Sequence, residues 1–273
     1  MTGQSPTYVL GHSEAELARL KRQADLIDSP TRQFFHEAGI SSGMRVLDVG
    51  SGVGNTAFIV ANLVGRTGVV IGTDRSADAV KAAQTNAEAR ALHNVSFQHG
   101  DPAEMRFEQP FDAVVGRYVL VHNLDQPSML RRLAKHLKPG GLIVFYEPTT
   151  FIAQSIPPVE LYERCLQWYM DGMRAGGAQI DTAYRMHSIF LAAGLPPPTM
   201  RMHVPIGGAP SIFEYLHGLA NIIGALLPAL ERHGIATAAE IGIDSLAERL
   251  CRDIAASGSI VVGGAGIAAW SRV

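Results

Sequence analysis

Glycines stand at every second position after Asp48, in the pattern Asp48-x-Gly50-x-Gly52-x-Gly54, at the end of the apolar run 45–49. A strand-to-helix turn of this composition suits a ligand that must lie against the backbone, because glycine tolerates positive φ and has no Cβ to hold the ligand away from the amides. Such turns also occur without ligands, so the partners of the turn decide the matter. Asp74 closes the next apolar run and can accept two hydrogen bonds from ribose hydroxyls, which a carboxylate does well and an amide poorly. Asp101 follows a third run and could take the exocyclic amine of an adenine whose ring stacks on apolar neighbours. The spacing is not GxGxxG, since Thr56 follows Asn55, and this argues against a dinucleotide. No GK[ST] loop or further basic residue stands near Gly50 to meet phosphates, so a nucleoside without a pyrophosphate is preferred.

These residues need a frame that brings run ends together. The apolar runs 45–49, 68–74, 94–98, 111–118 and 142–146 alternate with helical stretches at 56–63, 76–92 and 126–137, which predicts βαβ units and a parallel, doubly wound sheet. Ligands sit at the carboxyl ends of such strands, where the chain places Gly50, Asp74, Asp101, Arg117 and Glu147. Ser76 is placed to cap one helix, and Lys138-Pro139-Gly140-Gly141 to make a tight turn into the fifth strand. Before the sheet, Ser13 opens an amphipathic helix with Leu17, Leu20, Ala24 and Ile27 on one face, and Ser29-Pro30 starts a second helix ended by Gly39. Beyond Glu147 the sequence predicts helices over 157–175, 182–193, 211–231 and 236–256, a strand near 198–205, and over 259–273 a closing strand pair or a strand after a glycine-rich turn. The expected organisation is an N-terminal helical cap (1–40), an α/β core (41–150), a substrate lid insertion (151–235) that includes the 198–205 strand, and a C-terminal helix and closing strand (236–273).

The chain has 273 residues, enough for a sizeable core, and Lys+Arg 23 against Asp+Glu 25 gives a formal charge of -2. No global field draws nucleic acid or an anionic membrane, so a small-molecule substrate is the simpler expectation. Cys165 and Cys251 lie far apart with no CxxC or Cys/His cluster, which predicts packed, reduced thiols and no metal site. The start lacks a basic segment followed by an apolar run, and the apolar stretch 218–230 reads as too short to span a bilayer, so the expectation is a cytoplasmic protein. The stretch 211–230, apolar all round, suits a pocket wall, a homodimer surface or a buried helix, and the first two are the expectation.

VLDVGSGVG, the strand ending in Asp74, HGDPAEM, FDAVVGRYVLVHNLD and LKPGGLIVFYEP, in that order, resemble the successive motifs of class I S-adenosylmethionine-dependent methyltransferases. The likeness covers about 8–147. It implies a Rossmann-like, mostly parallel seven-stranded sheet whose last strand is antiparallel, formed from the regions of Pro198 and Ile267. By position it also implies that Gly50, with Ser51 and Gly52, approaches the methionine part of S-adenosyl-L-methionine, Asp74 the ribose and Asp101 the adenine amine. Arg75 would flank the adenine, Pro102 would line the ring, and Arg117 would meet the amino acid end. The opening YVLGHSEAELARLKRQA resembles a segment that roofs the cofactor in some of these enzymes, which makes Tyr8 and Gln23 further contacts.

Methyl transfer from a sulfonium is an in-line displacement in which proximity supplies much of the catalysis, and a base is needed only if the acceptor must lose a proton. His122, just past the fourth strand where the family often has a histidine, is the candidate base; its alternative is packing of the loop. Glu147 is a candidate for holding a polar acceptor or for capping, and Tyr118 for standing beside the methyl or in the core. Trp168, Tyr169, Met170, Met173 and Met186 suit an apolar acceptor pocket or plain core. The expected activity is O-, N- or C-methylation of a small, largely apolar metabolite such as a secondary-metabolite or quinone-like scaffold. The alternative is a protein of the same fold that binds the cofactor without transferring methyl, as a cyclase or regulatory partner.

Overall fold

The structure is a computed structural model that describes residues 28–273. The amphipathic stretch opened by Ser13, and with it Tyr8 and Gln23, lies outside the described residues. The elements in chain order are α1 (28–38), β1 (Arg45–Val49), α2 (Asn55–Val64), β2 (Val69–Asp74), α3 (Ala77–Ala89), β3 (Val95–His99), β4 (Phe111–Arg117), a one-turn 3-10 helix (Leu120–His122), α4 (Gln126–Ala134) and β5 (Leu137–Thr149). They continue with β6 (Gln154–Ile156), α5 (Glu160–Ala175), α6 (Thr182–Ala192), β7 (Thr199–His203), β8 (Ile206–Gly207), α7 (Phe213–Arg232), α8 (Ala238–Ile241), a second 3-10 turn (Ile243–Ser245), α9 (Leu246–Ser257), β9 (Ile260–Val262) and β10 (Ala265–Arg272).

One compact unit, 28–147 with Thr182–Arg201 and Ile267–Val273 among the described residues, holds the large sheet. Its order is β3-β2-β1-β4-β5-β10-β7, and the neighbouring pairs among the first five strands are parallel. The order reverses between β1 and β4, which opens a crevice at their carboxyl ends. β10 runs against β5: Val273 exchanges hydrogen bonds with Gly140 and Gly141 at the start of β5, while Gly264 lies beside the Thr149 carbonyl at its end. The antiparallel closing strand implied by the motifs is therefore present at β10. The tight turn expected at 138–141 is instead the opening of a longer β5, which pairs at Phe111↔Leu137 and passes an irregularity before the Ala113↔Leu142 pair.

Both faces of the sheet are apolar, as parallel strands require. Val46, Val70, Ala113, Val115, Leu142 and Val144 face α2 and α3, while Leu47, Val49, Ile71, Val114, Ile143 and Phe145 face α4 and α6. Met186 packs on the second of these faces beside Ile189 and Phe190, so it is core and not acceptor pocket. The predicted cap of α3 is in place, with Ser76 Oγ accepting from the Ala79 N–H at 3.2 Å.

The other unit comprises Pro148–Asp181 and Met202–Gly266 among the described residues. In it α7 packs against α5 and α9, and β6-β9-β8 form a small antiparallel sheet. Of the two readings of 259–273, the large sheet follows the second: β10 joins it after Gly263-Gly264, while β9 belongs to the small sheet. The helix expected over 236–256 is broken into α8 and α9 at Gly242, whose φ of 62° ends the first piece. α7 is long and apolar enough to cross a membrane by length and composition, contrary to the expectation for 218–230. It is not apolar all round: Leu216, Leu219, Ile223, Leu226 and Leu230 are buried, whereas Glu214, His217, Asn221 and Glu231 are exposed. Gly172 of α5 lets the two helices approach, since a Cβ there would meet Leu226 Cβ at 3.2 Å. Cys165 and Cys251 are unbridged and buried, and burial pushes the Cys165 thiol up to about 12.

Candidate functional site

β1 delivers the chain to the crevice, and three left-handed glycines turn it into α2: φ is 64° at Gly50, 53° at Gly52 and 98° at Gly54. Two of them are glycine for packing reasons, because a Cβ would come within 2.8 Å of Val119 Cγ2 at Gly50 and 2.5 Å of the Phe58 ring at Gly54. At Gly52 nothing lies within 4 Å of that position, so the turn offers open backbone there. Ser51 is buried with its hydroxyl unpartnered, and its N–H donates to the Thr73 carbonyl at 2.9 Å.

Asp74, at the end of β2, ties the turn down. Its Oδ2 accepts the Gly52 N–H at 2.9 Å and its Oδ1 the Ser76 N–H at 2.8 Å. Each carboxylate oxygen can accept twice, so capacity for a ribose remains. Asp101 pairs with Arg75 through Oδ2 and accepts the Ala103 N–H at 2.9 Å through Oδ1. Pro102 is buried beside it, its carbonyl bonded to His136 Nε2 at 2.8 Å. Arg117 turns its guanidinium toward α1, where Asp28 Oδ1 and Thr31 Oγ1 accept at 2.9 and 3.2 Å.

Asp48 carries the strongest electrostatic signal of the site. It lies in β1 between Gly72 and Val115 in register, wholly buried, and neither carboxylate oxygen has a hydrogen-bond partner; the Ala57 N–H faces it without closing a bond. Burial pushes its pKa up to about 8, against the pull of Arg117 and with the push of Asp74. The sequence reading gave Asp48 no role, although a lone charge in a strand apolar on both faces was the signal to follow.

β4 ends in a second unusual turn. Tyr118 is left-handed at φ 60°, which costs a residue with a Cβ about 1–2 kcal/mol. Its ring lies 5.6 Å from that of Tyr146, itself 5.4 Å from Phe34. Glu147 is wholly buried beneath this turn, its Oε1 accepting the Val119 and Leu120 N–H groups at 3.0 and 2.9 Å and its Oε2 the Val121 N–H at 3.1 Å. Burial raises its pKa to about 7, and the three amides hold it below what burial alone would give. Glu147 is thus turned inward as a cap, not toward an acceptor, because all its contacts are backbone amides. His122 ends the 3-10 turn half-buried, with its N–H on the Val119 carbonyl at 3.1 Å.

The structure therefore brings Gly50, Ser51, Gly52, Asp74 and the overlooked Asp48 to one turn, Arg75, Asp101 and Pro102 to the next strand end, and Arg117, Tyr118, His122 and Glu147 to the ends of β4 and β5. No group of three or more metal-binding side chains occurs among the described residues. His187, His203 and His217 are exposed, as surface histidines.

A methyltransferase-domain family matches residues 40–185, just over half of the chain. Over 111 residues the chain is 38% identical to an arsenite methyltransferase of Aquipseudomonas alcaligenes, covering 38% of this chain and 32% of that protein. Over 139 residues it is 30% identical to a demethylmenaquinone methyltransferase of Staphylococcus saprophyticus, covering 50% and 56%. The matched segment thus spans about a third to a half of these relatives. The fold resembles that of a putative methyltransferase from Bacillus halodurans with a TM-score of 0.57 at 15% identity, covering 89% of this chain and 98% of the other. With the glycine turn, the strand-end acids and the seven-stranded sheet in place, the chain belongs to the class I S-adenosylmethionine-dependent methyltransferases.

Proposed function

We propose that this protein transfers a methyl group from S-adenosyl-L-methionine to a small, largely apolar metabolite. The observation that carries the reading is the buried, unpartnered carboxylate of Asp48 behind a turn left open at Gly52. A cation-bearing ligand laid on that turn adds to the pull of Arg117 and gives the Asp48 oxygens the hydrogen-bond donor that the chain does not supply. The α-ammonium of the cofactor's methionine part fits this need, and the remaining acceptor capacity of Asp74 fits a ribose. Asp101, Arg75 and Pro102 line the next strand end, where an adenine is expected.

When bound, the cofactor supplies an electrophilic methyl on a sulfonium, which an acceptor takes in one displacement as S-adenosylhomocysteine departs. The chain's own part is to hold that geometry, which supplies most of the rate enhancement. His122 would take the acceptor's proton where the acceptor is an O–H or N–H nucleophile, and Tyr118 would stand beside the reacting methyl. Relatives named for arsenite, demethylmenaquinone and sterol support a small-molecule acceptor, and its apolar character is an expectation from the sequence. A cytoplasmic setting and a homodimer complete the reading as expectations from the sequence.

Calorimetric titration with S-adenosylmethionine, S-adenosylhomocysteine and NAD tests it, followed by incubation with a metabolite extract and with reduced demethylated naphthoquinones. Binding of the first two but not NAD, with acceptor-dependent release of S-adenosylhomocysteine, is the expected result. Failure to bind either sulfur nucleoside would overturn the cofactor assignment.

A further inference from the structure

The turn after β4 is built on one side chain of the neighbouring strand. The Tyr118 N–H still belongs to the sheet and donates to the Tyr146 carbonyl at 2.8 Å. Tyr118 is then left-handed, and the next three amides turn together onto Glu147. These are the opening amides of a 3-10 turn, which have no preceding carbonyl to bind, so without the carboxylate three N–H groups would stay unpaired. The same turn seats Val119, whose Cγ2 would lie 2.8 Å from a Cβ at Gly50. A continuous line of contact thus runs from Glu147 through Val119 to the glycine turn.

We propose that Glu147 is a positioning residue: its carboxylate holds Tyr118 in the left-handed conformation and seats Val119 on Gly50, so that cofactor affinity depends on a side chain that does not meet the cofactor. The cofactor part of this rests on the methyltransferase reading; the hold on residues 118–121 does not. Glutamine replaces the carboxylate only in part, because its one accepting oxygen can serve two of the three amides while its NH2 is turned toward the third N–H, which must swing away. Glycine at 118, in contrast, adopts positive φ unaided and removes the need for the hold.

The experiment compares the wild-type protein, Glu147→Gln, Tyr118→Gly and the double variant. Hydrogen exchange, denaturant midpoints and S-adenosylmethionine affinity by calorimetry are the readouts. In the wild type the amides of Val119, Leu120 and Val121 should exchange as slowly as those of Val114 and Val115 in β4. Glu147→Gln should speed the first set about 10-fold or more while leaving the second unchanged. It should also weaken cofactor binding about 10-fold with Tyr118 present but no more than about 3-fold in the Tyr118→Gly background, with the midpoints showing the same non-additivity. Equal costs in both backgrounds would overturn the coupling. Fast exchange at 119–121 in the wild type would overturn the hold even if Glu147→Gln does not fold. A wild-type protein that binds no cofactor sinks the methyltransferase reading, while exchange and midpoints still judge the hold.

Discussion

A buried carboxylate without a hydrogen bond is costly when ionised, and Asp48 is in that state. With its pKa raised from 3.8 to about 8, the folded protein holds a proton that the unfolded chain releases between those values. Stability from this group is therefore highest in acid and falls as pH rises toward 8. Glu147, raised to about 7, adds a fall of the same sign between 4.5 and 7, which leaves the interval from pH 7 to 8 to Asp48. Over that unit the wild type should lose roughly 1 kcal/mol that Asp48→Asn does not lose, measured by denaturant unfolding at the two pH values. A cationic ligand beside Asp48 must expel the same proton. Cofactor affinity should thus rise from pH 6 to 8, calorimetry in buffers of different ionisation enthalpy should record proton release, and Asp48→Asn should abolish both. A pH-independent affinity would remove the ammonium from Asp48. Gly52 supplies the neighbouring test. Gly52→Ala meets no clash, only positive φ, so it should fold with a loss of about 1–2 kcal/mol and lose cofactor affinity well beyond that.

Elements were legible where local chemistry and tertiary packing agree. Ser76 could be read as a cap because its side chain bonds within its own helix, and Ser76→Ala should cost about 1 kcal/mol in thermal or denaturant unfolding while leaving cofactor affinity unchanged. An unchanged melting temperature would mean that the cap contributes nothing beyond water. The opening of β5 was illegible for the opposite reason. Lys138-Pro139-Gly140-Gly141 carries turn chemistry, but Val273 hydrogen-bonds Gly140 and Gly141 from more than a hundred residues away and keeps the segment extended. The break at Gly242 was hidden because one glycine in an apolar helical pattern is more often tolerated than terminal. α7 reads as apolar all round because its middle, 218–230, carries no charge, but its exposed positions are Glu214, His217, Asn221, Pro228, Glu231 and Arg232, and the burial pattern resolves it into one packed side.

At the scale of the whole chain, the sheet order could be inferred from alternating runs and motif order, since each strand end announces itself by a polar residue after an apolar run. Side-chain direction could not be inferred in that way. Arg117 points to α1, Glu147 points inward, and the acids Asp74 and Asp101 already hold amides or an arginine before any ligand arrives. The site is therefore assembled within the fold itself, and binding should act on stability by mass action alone. At a free cofactor concentration of 100 times Kd the unit bearing the large sheet should gain about 2.7 kcal/mol against unfolding. Asp74→Ala should remove most of that gain, because it frees the Gly52 and Ser76 amides and withdraws the ribose acceptor together. Differential scanning calorimetry with and without S-adenosylmethionine checks this. If Asp74→Ala kept the full ligand-induced shift, Asp74 would be a fastener of the glycine turn with no share in binding, and the ribose would have to be assigned elsewhere.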